Sequence, residues 1–265
     1  MIKYEKTKGY IHFICIGINL KFTFVTLFPN LIGPYFQDSI LKRAVDSGFI
    51  NYEFYNPRDF TDNKHQKVDK QIISGGAGML MTCQPLFACL DKVKEENEDA
   101  YIIFPLAAAK PFRQNDAKRL AKKKNLVFVS GRYEGIDERV IEKYANEVFS
   151  VGEFVLTGGE LPSLTMSDAI SRNVEGVLGN AQSLDVESYE NQLLEAPSFA
   201  KPEVFQNLSV VKEFLKGNHS KIHDLKYDLA ICKTRYFRPG LVTNKKIKIK
   251  EWYPAICKCG HFHQR

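Results

Sequence analysis

Four short runs constrain the fold of this chain more than any other feature. FTFVTLF (22–28), YIIFPL (101–106), LVFVS (126–130) and EVFSV (147–151) are apolar, β-branched and aromatic at consecutive positions. A strand without alternation is buried on both faces, as in parallel sheets covered by helices. Between the runs, QNDAKRLAKKKN (114–125) and GIDERVIEKYAN (135–146) read as helices. The second carries Asp137 and Glu138 in its first turn, where the helix dipole favours acids. The order β-α-β-α-β predicts an α/β domain with a parallel sheet, and a hydrophobic content of 44% is ample for its core.

Beyond about residue 180 the texture changes. NAQSLDVESYENQ is polar and reads as a linker, and PSFAKPEVF is broken by prolines. SVVKEFLKGNHSKIHDLKYDLAICKTRYF reads as two or more basic helices, parted at Gly217 and Asn218. The expected organisation is an extension over 1–19, a catalytic domain over 20–180, a linker over 181–195, a basic helical domain over 196–240 and a tail over 241–265. Charge divides the same way. Lys201 to Arg265 holds 14 Lys+Arg against 5 Asp+Glu, a net +9; subtracting these from 37 and 31 leaves 23 against 26, a net −3. A near-neutral body with a basic C-terminal part suits a catalytic domain beside a polyanion-binding one; the alternative is a solvated lysine surface.

Six cysteines stand at 15, 83, 89, 232, 257 and 259, and the scatter of four of them suits reduced thiols in a cytoplasmic protein. The apolar N-terminal stretch has no small-residue cleavage site and is interrupted by Lys21 before it reaches a membrane span, so no membrane association is expected.

Three glycine clusters, SGGAGM (74–79), SGRYEG (130–135) and VGEFVLTGG (151–159), mark candidate ligand contacts. The second follows a strand directly and the third follows closely on one; ligands of open α/β sheets bind beyond such carboxyl ends. Glycine lets the backbone approach a ligand, although any single cluster also serves simply to end a strand. No cluster is a phosphate-binding loop and none contains lysine, so a polyphosphate is disfavoured and a nucleoside held by backbone groups stays open.

GRYEGIDERV, VGEFVLTGGELP, DAISRNVEGVLGN, LLEAPSFAKPEVF and GNHSKI occur in the order and spacing of the bacterial tRNA (guanine-N1-)-methyltransferases, the TrmD family of the SPOUT superfamily. YNPRDF (55–60) and KVDKQIISGGAGMLM (67–81) also fit, and the resemblance spans roughly residues 20 to 240. It implies a deep trefoil-knotted parallel-sheet domain followed by a small helical C-terminal domain. It implies S-adenosyl-L-methionine as methyl donor, tRNA as substrate, the guanosine 3′ of the anticodon (position 37) as target, magnesium during catalysis and a homodimer. By motif position, Gly131, Tyr133 and Glu134 form one wall of the cofactor site. Val151, Gly152, Glu153, Phe154, Val155 and Leu156 form the other, with Gly158 and Gly159 giving close approach.

Guanine N1 carries a proton at neutral pH, so its methylation needs a base, and charge moving toward O6 needs a cationic donor. The resemblance implies Arg172 for O6; the bland alternative is an ion pair with Asp168, four residues earlier. Counting along the linker puts Glu187 where the family has an aspartate, with Asp185 as the second candidate for the base. Glu134 and Glu187 are the candidates for a carboxylate-bound magnesium ion. Two further departures are Ser74, in place of the first glycine of GGGxG, and FPLAAAKPF (104–112), in place of a loop that usually carries Ser-Pro beside the adenosine. Lys201, His219, Lys221, Lys226, Lys233, Arg235 and Arg238 are candidate phosphate contacts. Cys257, Cys259, His261 and His263 are either zinc ligands of unusual spacing or part of an unstructured tail, and Leu20 is a candidate native start. The rival readings are a ribose 2′-hydroxyl methyltransferase and an RNA-binding protein that has lost catalysis.

Overall fold

The computed structural model describes residues 3–7, 10–14, 20–179 and 187–242. The chain divides into two compact units, Met1–Gly179 and Asn180–Arg265. In the first, β1 (Lys3–Thr7) and β2 (Tyr10–Ile14) make a separate antiparallel hairpin. The main elements are β3 (Leu20–Val25), α1 (Ser39–Asp46), β4 (Ile50–Tyr55), β5 (Asp69–Gln71), β6 (Met79–Met81) and α2 (Cys83–Glu96). They continue through β7 (Ala100–Pro105), α3 (Gln114–Leu120), β8 (Asn125–Val129), α4 (Glu138–Tyr144), β9 (Glu147–Phe149) and α5 (Glu160–Ser171).

Five strands form one sheet in the order β4-β3-β8-β7-β9, and every pair is parallel. Phe22 and Phe24 of β3, Leu126 and Phe128 of β8 and Ile103 of β7 face one side, where they meet α1, α3 and α5. Val25, Val127, Val129, Ile102 and Phe104 face the other side and meet α2 and α4. Period-2 geometry sends neighbouring residues to opposite faces, and here both faces are core, so both must be apolar. Phe24 sits among the rings of Phe22, Phe36, Phe54 and Phe128 with centroids 5.7–6.3 Å apart. The polar exceptions are paired: Thr23 Oγ1 donates to Glu53 at 2.9 Å and to Asn125 at 3.3 Å.

The expected strands and helices are present with shifted ends: β3, β7 and β8 begin one or two residues earlier than the runs and all four strands end sooner. The helices stop at Leu120 and Tyr144, and Asp137 is the N-cap of α4, accepting from Arg139 N at 3.1 Å. Strand β4, the β5–β6 hairpin and α2 were not anticipated. Among the described residues no helix is long and apolar enough to cross a membrane.

The second unit contains the β10 (Val204–Phe205) and β11 (Leu208–Ser209) hairpin, a 3₁₀ turn at Lys212–Leu215 and α6 (His219–Phe237). The expectation of two or more basic helices is corrected to one. Before Gly217, Ser209 ends the β10–β11 hairpin, β-branched Val210 and Val211 follow, and Lys212–Leu215 closes only a 3₁₀ turn. Helix α6 begins after Gly217 (φ 68°), capped by Asn218, which accepts from Lys221 N at 3.1 Å. Leu225, Leu229 and Ile231 are buried, and Leu193 and Ile231 share a small apolar cluster.

Removing a ring at the centre of the aromatic stack leaves a void that its neighbours cannot fill. Phe24→Ala is expected to lower unfolding stability by about 3–5 kcal/mol, measured by urea denaturation.

Candidate active site

The carboxyl ends of three adjacent strands, β8, β7 and β9, give rise to the loops that build one cleft. The loop after β7 is stitched to the segment after β9. Leu106 N donates to Phe149 O at 2.9 Å, Ser150 N to Lys110 O at 2.9 Å and Phe112 N to Ser150 O at 2.8 Å. Lys110 also pairs with Glu147 at 2.8 Å. Burial pushes the Glu147 carboxyl up, but Lys110, Tyr101 and Arg119 outweigh that and hold it below the usual range. The loop after β8 is tied to β6, with Glu134 N donating to Met79 O at 2.9 Å and Met81 N to Gly135 O at 3.0 Å.

The two glycine loops then meet directly. Gly159 N donates to Gly131 O at 2.8 Å. A Cβ on Gly159 would lie 2.7 Å from Ser130 Cα and 2.8 Å from Gly131 N, both backbone atoms that cannot swing away. Ser130 is itself tied to β3, its N donating to Val25 O at 2.9 Å. The glycine at 159 therefore lets α5 start against the end of β8. Gly152 has a comparable function on the outer wall: its Cβ would meet the Phe154 ring at 2.1 Å.

The cleft is open to solvent and has a cavity volume of about 220 Å³. Gly131, Tyr133, Glu134, Val151, Gly152, Phe154, Val155, Leu156, Gly158 and Gly159 all line it; Glu153 is exposed and outside the lining. Pro105, Leu106, Ala107, Ile136, Phe149 and Pro162 line it as well and were not anticipated. Their signal was the strand end at FPL and the proline after the paired glycine. Among the described residues no lysine or arginine lines the cleft, and Glu134 is the one carboxylate that does. The site suits a neutral or cationic nucleoside held by backbone groups and opposes a polyphosphate.

Beneath the cleft lies an ion pair that the sequence did not single out. Glu160, only 2% exposed, accepts from Thr26 Oγ1 at 2.8 Å, and its other oxygen lies 2.8 Å from Arg132 Nε. That contact does not align as a hydrogen bond, so charge holds it. Arg132 also donates to Thr157 O at 3.2 Å and stacks 4.6 Å over the Phe28 ring.

The remaining candidates lie elsewhere. Arg172 is the C-cap of α5, a twelve-residue helix whose other end meets the cleft. At 1.5 Å per residue, roughly 18 Å of helix separates Arg172 from the glycines of its own chain. It interacts with Asp168, whose carboxyl is pushed up by burial, against the opposing effects of Arg172 and a hydrogen bond from Tyr35. Glu187 belongs to the second unit; Asp185 and Cys257, Cys259, His261 and His263 lie outside the described residues. Among the described residues no three His, Cys, Asp or Glu side chains come together as a metal site.

Residues 20–244 match the family model described as tRNA (Guanine-1)-methyltransferase TrmD. The chain is 65% identical over 226 residues to the tRNA (guanine-N(1)-)-methyltransferase of Sulfurovum sp. (strain NBC37-1), covering 85% of this chain and all of that protein. It is 60% identical over 230 residues to the enzyme of the same name from Sulfurimonas denitrificans, covering 87% and 100%. With that from Campylobacter curvus it shares 61% over 232 residues, covering 88% and 98%.

Substituting Gly159→Ala forces the two loops apart at the backbone. The variant is expected to lose nucleoside binding in the cleft at least tenfold, measured by calorimetry. Gly179→Ala, with nothing within 4 Å of the added Cβ, is expected to leave it unchanged.

Proposed function

The chain belongs to the tRNA (guanine-1)-methyltransferase family, and from that premise we propose the full reaction and its machinery. The enzyme transfers a methyl group from S-adenosyl-L-methionine to N1 of the guanosine 3′ of the anticodon, position 37, in tRNA. The observation that carries this reading is the cleft itself: two glycine loops touching at the backbone, with no cationic side chain among the described residues of the lining. When bound, S-adenosyl-L-methionine supplies an electrophilic methyl on a cationic sulfonium, a ligand that a cleft with one carboxylate and no lysine accepts. The protein fold around it is proposed to be the deep trefoil knot of the SPOUT type, and the setting is the cytoplasm.

Glu187 takes the N1 proton of the target base, freeing the nitrogen lone pair, with Asp185 as the alternative base. Arg172 donates to O6 and stabilises the charge that develops there. The length of α5 bears on how these groups reach the reaction. Arg172 is roughly 18 Å of helix from its own cleft, which favours a homodimer in which one subunit's Arg172 and Glu187 serve the cleft of the other. A magnesium ion, held by Glu134 or Glu187 together with substrate oxygens, completes the proposal.

The second unit would orient the RNA. His219, Lys226 and Lys233 recur at seven-residue intervals on α6 and so share one face. Lys233 already pairs loosely with Glu195 at 3.8 Å, so Lys226 is the better phosphate contact.

Three measurements test the reading. Incubating the protein with labelled cofactor and unmodified tRNA bearing G at position 37, then digesting to nucleosides, is expected to yield N1-methylguanosine. A ribose-methylated nucleoside, or RNA binding without product, overturns it. Glu187→Gln is expected to abolish turnover while cofactor affinity stays within about threefold; near-normal turnover moves the base to Asp185. Lys226→Ala is expected to weaken tRNA binding and to lower the slope of log affinity against log salt by about 1.

A further inference from the structure

Arg132 sits between two residues that line the cleft, Gly131 and Tyr133, yet its own side chain turns beneath the floor. Its guanidinium is so close to Gly158 that a Cβ there would lie 2.5 Å from Nε and 2.7 Å from Cζ. A full positive charge thus stands directly under a cleft-lining residue, in a site proposed to take a cation. Like charges repel each other, and the more strongly when water is excluded between them. The guanidinium nevertheless has a geometric function there. Its hydrogen bond to Thr157 O and its stack on Phe28 hold the turn that delivers Gly158 and Gly159 to the ligand.

Glu160 resolves the conflict. It is buried, it contacts Arg132 on the side facing Thr26, and it is fixed there by the Thr26 hydroxyl, which in turn accepts from Phe28 N at 3.0 Å. We infer that Glu160 is a positioning residue whose carboxylate cancels the field of Arg132, allowing an arginine to brace the glycine turn without repelling a cationic cofactor. The inference rests on the proposed identity of that cofactor. Its consequence concerns discrimination rather than affinity alone. S-adenosylmethionine and its demethylated product, S-adenosylhomocysteine, differ by the sulfonium charge. Glu160 sets their ratio, because the product does not feel the field that the substrate feels.

The test is calorimetric titration of full-length protein with each ligand at low salt, after circular dichroism has established the fold of each variant. Glu160→Gln keeps the side-chain shape and leaves Arg132 uncompensated. It is expected to weaken S-adenosylmethionine about tenfold more than S-adenosylhomocysteine, the order of effect of one unit charge roughly 12 Å away at an effective dielectric of about 20. The double change Arg132→Gln with Glu160→Gln is expected to restore the wild-type ratio to within about twofold, even if both affinities fall. Equal weakening of both ligands by Glu160→Gln overturns the inference, because a merely structural role lowers them together. Where Glu160→Gln does not fold, Glu160→Asp carries the test: it keeps the charge while losing reach, so both ligands weaken and the ratio holds, and a changed ratio overturns the inference. Failure of the wild-type protein to bind either ligand would instead refute the cofactor assignment.

Discussion

The close approach of Gly159 to Ser130 and Gly131 is the constraint on which the rest of the site depends. The contact is between backbones, with a hydrogen bond of 2.8 Å across it and no room for a Cβ. It fixes where α5 begins, and α5 in turn carries Ser163, Ser167 and Ser171 along a fully buried face. Each of these hydroxyls donates to the carbonyl four residues earlier at 2.7 Å, so burying them leaves no unsatisfied donor. Small side chains let the helix lie close to the sheet, and Ser163 Oγ reaches Ser130 Oγ at 3.1 Å. One glycine thus sets a loop, a helix and its packing.

Charge is distributed in keeping with that geometry. Among the described residues the cleft has no lysine or arginine in its lining, while Lys201 to Arg265 carries a net +9. Along the sequence, the basic excess belongs to the C-terminal part and not to the loops that build the cleft. Arg132, which packs against Gly158 of the lining, is paired with buried Glu160.

Much of the α/β domain was legible because its strands had to be apolar on both faces. Phe22, Phe24, Leu126, Val127 and Phe128 could only belong to a sheet covered on both sides. Strand β4 escaped notice because INYEFY carries Asn51 and Glu53; it is an edge strand, and its residues are mostly part-exposed. Helix α2 was not read from the sequence, and it carries Pro85 in its first turn, where proline is tolerated. In the cleft, glycines and their neighbours were legible from spacing and from family resemblance. Pro105, Leu106 and Ala107 were not, because a loop that departs from the family pattern gives no motif to count along. The Arg132–Glu160 pair was hidden for a different reason: two charges 28 positions apart show no periodicity, and only the crossing of two loops brings them together.

The alanine-bearing loop after β7 has a consequence of its own. Its backbone is stapled on both sides of Ala107, and Lys110 clamps it from outside by reaching Glu147 and lying 4.7 Å from the centre of the Phe149 ring. What it offers to a bound molecule at that rim is a methyl group on a firmly held frame. A compound that relies on a hydroxyl partner there would find none, while one with a flat hydrocarbon edge would fit without rearrangement. At this margin, contour rather than polarity would separate ligands of this protein from those of relatives that keep a serine in the same loop.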